Sequence, residues 1–159
     1  WLGRRTPTPS ATLRGAMLGL NPSHTTAHIY RALLESFAFN IRQGYEVHRE
    51  QVTRLVVTAG GARSPLWRQI MADILNTELE YHPSASGSLG IAFQAAYALG
   101  LVDEYTDIKN RWLSDALRIK PDPAAVQVYD RLFPVYCAFD EVVAEPFRLL
   151  SEALRGDAV

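Results

Sequence analysis

The sequence predicts an α/β fold in which helices pack on a small sheet. Three stretches predict it. Residues 53–76 read as a strand, a two-glycine turn and a helix. Residues 23–51 carry the longest helical pattern. Residues 78–101 read as a short strand followed by a helix of small residues. Strands alternating with helices mark the α/β class. Two strands cover this many helices poorly, so neighbouring strands are expected from sequence outside the chain.

The stretch around which the rest is organised begins with Leu55 to Val57, a short apolar run suited to a covered strand. Gly60 and Gly61 follow, expected to take backbone angles that a Cβ resists and to leave room for a ligand. Ser64 can cap the next helix, and Pro65 then sits at its first position, where a missing N–H costs little. A strand running through a glycine turn into a helix start offers free N–H groups and the positive end of a helix dipole, which suits a phosphate. By spacing alone, a plain tight connection is the commoner reading.

With 159 residues the chain can bury the core of one domain. Its 48% apolar and 21% charged residues are those of an ordinary globular protein. A formal net charge of −1 gives no reason to expect nucleic acid or an anionic membrane as partner. The single cysteine, Cys137, excludes an internal disulfide and reads as a small core residue in a reducing compartment. No apolar run reaches membrane-spanning length, and no leader pattern is visible. The chain opens on Trp1 inside what reads as a motif, as expected of a piece of a longer protein.

Residues 1–22, with Pro7, Pro9 and Pro22, read as a loop and a short hairpin whose Arg4, Arg5 and Arg14 are solvated or face a phosphate. Ser23 or Thr25 can cap the long helix. Its apolar positions Ile29, Leu33, Phe37, Leu34, Ala38, Ile41 and Tyr45 form a band broad enough to be covered on more than one side. Arg31 and Glu35, four apart, are expected to pair. His24 and His28 are also four apart but lack a third ligand, so surface roles are expected rather than a metal site.

Glu78 to Tyr81 is a strand ended by Pro83. Ser86 or Ser88 can cap the following helix, whose Gly90, Ala92, Ala95, Ala96 and Ala98 are expected to pack close to a sheet or another helix, with Gly100 as its stop. Residues 103–120 read as a short helix with a basic end. Beyond Pro121-Asp122-Pro123, apolar residues from Val126 to Leu150 recur at threes and fours. They predict an amphipathic helix or helix pair packed on its own domain, with Pro134 and Pro146 as kinks.

Three segments, in order, resemble the FGGY carbohydrate kinases, and within them the xylulokinase-like branch. Ala59-Gly-Gly-Ala-Arg-Ser-Pro-Leu-Trp-Arg-Gln-Ile-Met-Ala-Asp-Ile-Leu75 is similar to that family's Gly-Gly-Ala-x-Ser-x-x-Trp-x-Gln-x-x-Ala-Asp signature. Gly3-Arg4-Arg5-Thr6-Pro7 with Arg14-Gly15 and Gly19-Leu20 resembles its Gly-Glu-Arg-Thr-Pro … Arg-Gly-x-x-x-Gly-Leu segment. Arg31 to Phe39 resembles its Arg-Ala-x-x-Glu-Gly-x-Ala-Phe run. Arg4 stands where the family has Glu, Thr8-Pro9-Ser10 departs from its Asp-Pro pattern, and Ile91 replaces a small residue.

The resemblance implies part of an actin-like ATPase (ribonuclease H-like) domain. Residues 1–159 would be the C-terminal part of the C-terminal domain, with the N-terminal sugar-binding domain outside this chain. It implies an ATP-dependent kinase for a pentulose such as xylulose or a related sugar or polyol, acting in the cytoplasm with Mg²⁺. The catalytic base and metal ligands would lie outside the chain, so no residue here is named catalytic or metal-binding. Gly60, Gly61, Ala62 and Ser64 would contact the nucleotide, with Arg63 along the ligand or solvated. The chain alone would be inactive. Its partners would be the sugar and the missing N-terminal part, with a homodimer left open. The alternatives are a non-catalytic nucleotide- or protein-binding module derived from such a kinase, and a structural fragment.

Overall fold

A computed structural model of the chain describes residues 9–113 and 116–156. The motif residues Gly3 to Pro7, with Arg4 and Arg5, lie outside the described residues. The chain divides into two compact units, residues 50–122 and residues up to 49 together with those from 123 onward.

The unit of residues 50–122 holds a three-stranded sheet in the order β1-β2-β3, with β1 Leu55–Val57, β2 Leu79–Tyr81 and β3 Leu117–Ile119. β1 and β2 are parallel, pairing Leu55 with Leu79 and Val57 with Tyr81. β3 is antiparallel to β2, pairing Leu79 with Ile119 and Tyr81 with Leu117. The alternation of strand side chains then separates two faces. One carries Leu79 and Tyr81, both buried. The other aligns Val56, Glu80 and Arg118. β1 is therefore not a covered strand: Val56 is 44% exposed. β3 replaces the basic end of the helix expected over 103–120. Arg118 pairs with Glu78 at 3.1 Å and Glu80 at 3.7 Å, and Arg54 also pairs with Glu80, so cross-strand charge fixes the register. Before it, Ile108–Trp112 forms a π-helical turn.

Helix α2 (Pro65–Leu75) connects β1 to β2 and buries Ile70, Met71, Ala72, Asp73, Ile74 and Leu75. It ends at Asn76, whose φ of 47° is the left-handed conformation that Asn tolerates. Helix α3 (Gly87–Ala98) is capped by Ser86, whose Oγ accepts the Leu89 N–H at 3.1 Å. Gly100, with φ of 69°, follows it as the expected stop. Only Phe93 of α3 is buried, edge-on to Tyr105 and Trp112 with both centroid distances 5.5 Å. The small residues do not pack as expected: a Cβ at Gly87 or Gly90 would meet nothing within 4 Å, and Ile91 is exposed. The helix is anchored by one aromatic cluster, and its small-residue face is open.

The other unit is built on α1 (Thr26–Glu46), α4 (Pro123–Val142) and α5 (Ala144–Gly156). Thr25 is the N-cap of α1. His28 Nδ1 accepts the Thr25 N–H at 3.1 Å, and His24 Nδ1 accepts the Asn21 N–H at 3.2 Å, so both histidines serve the helix start. Phe39 packs among Tyr129, Phe133 and Tyr136 of α4 at centroid distances of 5.8, 6.0 and 5.2 Å. Arg31 and Glu35 pair at 2.8 Å, and the Tyr129 hydroxyl donates to the same carboxylate at 2.8 Å. Arg42 is buried over the Phe133 ring and paired with Asp130 at 2.7 Å.

The apolar band of α1 is narrower in burial than in sequence. Phe37 and Ile41 are exposed, and only Ala38, Phe39 and Arg42 of the helix are buried. Pro134 lies inside α4, and Pro146 follows the break between α4 and α5. Cys137 is half-buried, 3.6 Å from the Gln43 amide, rather than a full core residue. α4 carries a second row unseen in the sequence pattern: Val128, Leu132, Val135, Phe139 and Val142 recur at fours and threes and are all exposed. Among the described residues, no helix is long and apolar enough to cross a membrane.

Candidate functional site

The glycine turn joins β1 to α2. Thr58 leaves the strand, and Ala59 takes the left-handed conformation at φ 72°. Gly60 is an ordinary right-handed residue at φ −59°, ψ −45°, and Gly61–Arg63 form one turn of 3₁₀-helix. The expectation that both glycines serve unusual backbone angles is therefore corrected. The left-handed angle falls on Ala59, and the two glycines leave this part of the turn without side chains. A Cβ on Gly60 would point into open space. A Cβ on Gly61 would lie 3.5 Å from the Trp67 indole nitrogen, an ordinary contact.

Two hydrogen bonds hold the turn internally: Arg63 N–H to the Gly60 carbonyl at 3.2 Å and Ser64 N–H to the Gly61 carbonyl at 3.1 Å. The N–H groups of Gly60, Gly61 and Ala62 have no acceptor among the described residues. Ser64 is the N-cap of α2: its Oγ accepts the Trp67 N–H at 3.3 Å, with Pro65 at the first helical position. The Ser64 hydroxyl keeps its own proton free to donate. Ala62 is 3% exposed, so its methyl is part of the packing under the turn. Arg63 is exposed and has no ion-pair partner among the described residues. Gly60, Gly61, Ala62 and Ser64 are thus one continuous element. It offers N–H donors and a helix start to an anion.

Arg68 and Tyr81 are not singled out by the sequence pattern but meet beside the turn. The Arg68 guanidinium donates from Nη1 to the Ala62 carbonyl, and its Cζ lies 4.3 Å from the centroid of the Tyr81 ring. A cation on the first turns of a helix, where the dipole disfavours it, was the available signal. Asp73 sits in the C-terminal half of α2, bonded to Gln69 and to the Asp122 N–H, and takes no part in the turn. Glu35, His24 and His28 belong to the other unit. That unit holds a cleft of about 400 Å³ lined by residues including Leu13, Leu33 and Phe37. Arg14, also on its wall, already donates to the carbonyls of Ala11 and Leu13.

Residues 1–99 match the C-terminal domain of the FGGY family of carbohydrate kinases. The chain is 30% identical over 139 residues to the xylulose kinase of Bacillus subtilis, covering 85% of this chain and 28% of that protein. It is 30% identical over 159 residues to the gluconokinase of the same organism, covering 97% of this chain and 31% of that protein. Among solved structures, the ligand-bound xylulose kinase of Lactobacillus acidophilus superposes with a TM-score of 0.75 at 27% identity. That match covers 94% of this chain and 31% of the other. The fold is accordingly that of the sugar kinases built on an actin-like ATPase domain. The chain belongs to the FGGY family of carbohydrate kinases, among relatives that are xylulose kinases and gluconokinases. It spans between 28% and 31% of the length of these relatives.

Proposed function

We propose that this chain carries half of the nucleotide site of an ATP-dependent sugar kinase, within a longer protein that supplies the sugar-binding domain. The observation that carries this reading is the run of unpartnered N–H groups at Gly60, Gly61 and Ala62, beside a capped helix start. Phosphoryl transfer needs donors on the phosphates, a metal to neutralise charge and a base for the accepting hydroxyl. The turn fits the first of these requirements. Gly60 and Gly61 let the nucleotide approach the backbone, Ala62 packs its methyl beneath them, and Ser64 can donate its hydroxyl proton. Mg²⁺, when bound with ATP, would neutralise phosphate charge, its ligands coming from the rest of the protein together with the catalytic base.

The acceptor in this reading is a pentulose such as xylulose, or a related sugar acid or polyol, and the reaction is cytoplasmic. The chain alone is inactive. A homodimer is part of the reading, and the exposed row Val128, Leu132, Val135, Phe139 and Val142 supports it, since apolar residues at alternating fours and threes suit a helix-to-helix seam.

The test is sugar-dependent ADP release by the full-length protein on a panel that includes xylulose and gluconate. Release with one of these supports the kinase. ADP binding with no release on any sugar would favour the non-catalytic module, and absence of ADP binding would overturn both. Gel filtration of the same protein reads its oligomeric state, and a monomer would remove the homodimer.

A further inference from the structure

We propose that Arg68 is the positioning residue of the glycine turn and sets nucleotide affinity without touching the nucleotide; this rests on the turn meeting a phosphate. The turn has almost no side-chain support of its own. Gly60 and Gly61 have none, and Ala62 contributes one methyl. Besides its two internal backbone hydrogen bonds and the Ser64 cap, its conformation is held from α2 by the Arg68 guanidinium. Nη1 of Arg68 donates to the Ala62 carbonyl, and the guanidinium carbon sits 4.3 Å from the Tyr81 ring centroid. Tyr81 is buried and is the last residue of β2, so the anchor belongs to the sheet.

Two features separate this side chain from a surface arginine. Its Nε is buried with no hydrogen-bond partner among the described residues. A buried donor left unsatisfied is unfavourable, so the placement of the fork carries a cost that the Ala62 bond and the ring contact offset. The carbonyl it takes is also the one between the free donors and the helix cap. Left alone, that oxygen would repel a phosphate oxygen. Bonded to a cation, it is held and its charge is offset while the N–H groups of Gly60, Gly61 and Ala62 stay available. Lysine could donate to the carbonyl, but it lacks the planar fork that reaches carbonyl and ring together.

The test is steady-state kinetics of the full-length kinase. Arg68→Ala should raise the KM for ATP about tenfold, the loss of one charge-assisted hydrogen bond, while leaving the KM for the sugar unchanged. Arg68→Lys should recover part of that loss. Added methylguanidinium should lower the KM of Arg68→Ala and leave the wild type unaffected. Tyr81→Phe keeps the ring and should keep the KM, whereas Tyr81→Leu should raise it; this pair decides if Arg68→Ala does not fold.

Gly60→Val, which crowds the ligand side alone, separates the two levels. If Gly60→Val raises the KM for ATP and Arg68→Ala does not, the positioning role is overturned and the nucleotide site stands. If neither does, both are overturned. An equal rise in both KM values for Arg68→Ala would show general damage and would also overturn the role.

Discussion

The Asp73 carboxylate accepts the backbone N–H of Asp122 on Oδ1 at 2.8 Å, and the same oxygen takes the Gln69 amide at 2.8 Å. Gln69 also donates to the Lys120 carbonyl at 3.0 Å. Two motif residues on α2 thereby clamp the segment that leaves β3. The signature's Gln and Asp have a local structural role here, apart from any chemistry. Asp73→Ala should cost about 2 kcal/mol in urea unfolding, because it removes the charged acceptor that the Asp122 N–H and the Gln69 amide share. Asp73→Asn keeps a carbonyl oxygen and should cost less. Near-equal losses would mean that the charge, rather than the acceptor, holds the clamp.

The left-handed residue of the glycine turn is Ala59 rather than Gly60. Alanine pays about 1–2 kcal/mol in that region, and glycine loses part of the advantage through its freer unfolded chain. Ala59→Gly should therefore stabilise the protein by about 0.5–1 kcal/mol in thermal melting. A lower melting temperature would contradict this turn geometry.

Removing the cap of α2 should be felt at once. Ser64→Ala takes away the acceptor for the Trp67 N–H and should cost about 1 kcal/mol by denaturant titration. Ser64→Asp should recover the stability, since Asp caps equally well. It should also weaken ATP binding by placing an anion at the phosphate site. Unchanged ATP affinity in Ser64→Asp would place the nucleotide away from this helix start.

Burial, and then the hydrogen bond to Glu35, raise the Tyr129 phenol above its ordinary value of 10.0. A raised folded value means that the protonated form is favoured in the native state. That stabilisation is complete below pH 10 and is lost as pH rises through the raised value. Tyr129→Phe removes the hydrogen bonds to Arg31 and Glu35 and should flatten this alkaline limb of stability. A wild-type melting profile that already runs flat from pH 9 to 11 would contradict it.

The parts legible in the sequence were those fixed locally. Ser64 before Pro65 marked the start of α2, Ser86 and Gly100 bracketed α3, and the four-residue spacing of Arg31 and Glu35 placed their ion pair. What escaped depends on partners distant in sequence. β3 is three residues long and exists because Arg118 meets Glu78 and Glu80 across the sheet, which no local pattern announces. The broad apolar band of α1 does not reveal which of its faces is covered. The aromatic residues of α4 select the one bearing Phe39. At the site, Gly-Gly is plain in sequence, whereas the guanidinium of Arg68 over Tyr81 requires two residues thirteen apart to be brought together by a parallel strand pair.

Hydrogen exchange across residues 58–66 of the full-length protein, with and without Mg·ADP, tests the nucleotide half-site most directly. If the unpartnered N–H groups of Gly60, Gly61 and Ala62 receive the nucleotide, their exchange should slow by about an order of magnitude or more at saturation. Exchange at these three amides that stays unchanged while the protein is saturated with ADP would show that the nucleotide is held elsewhere.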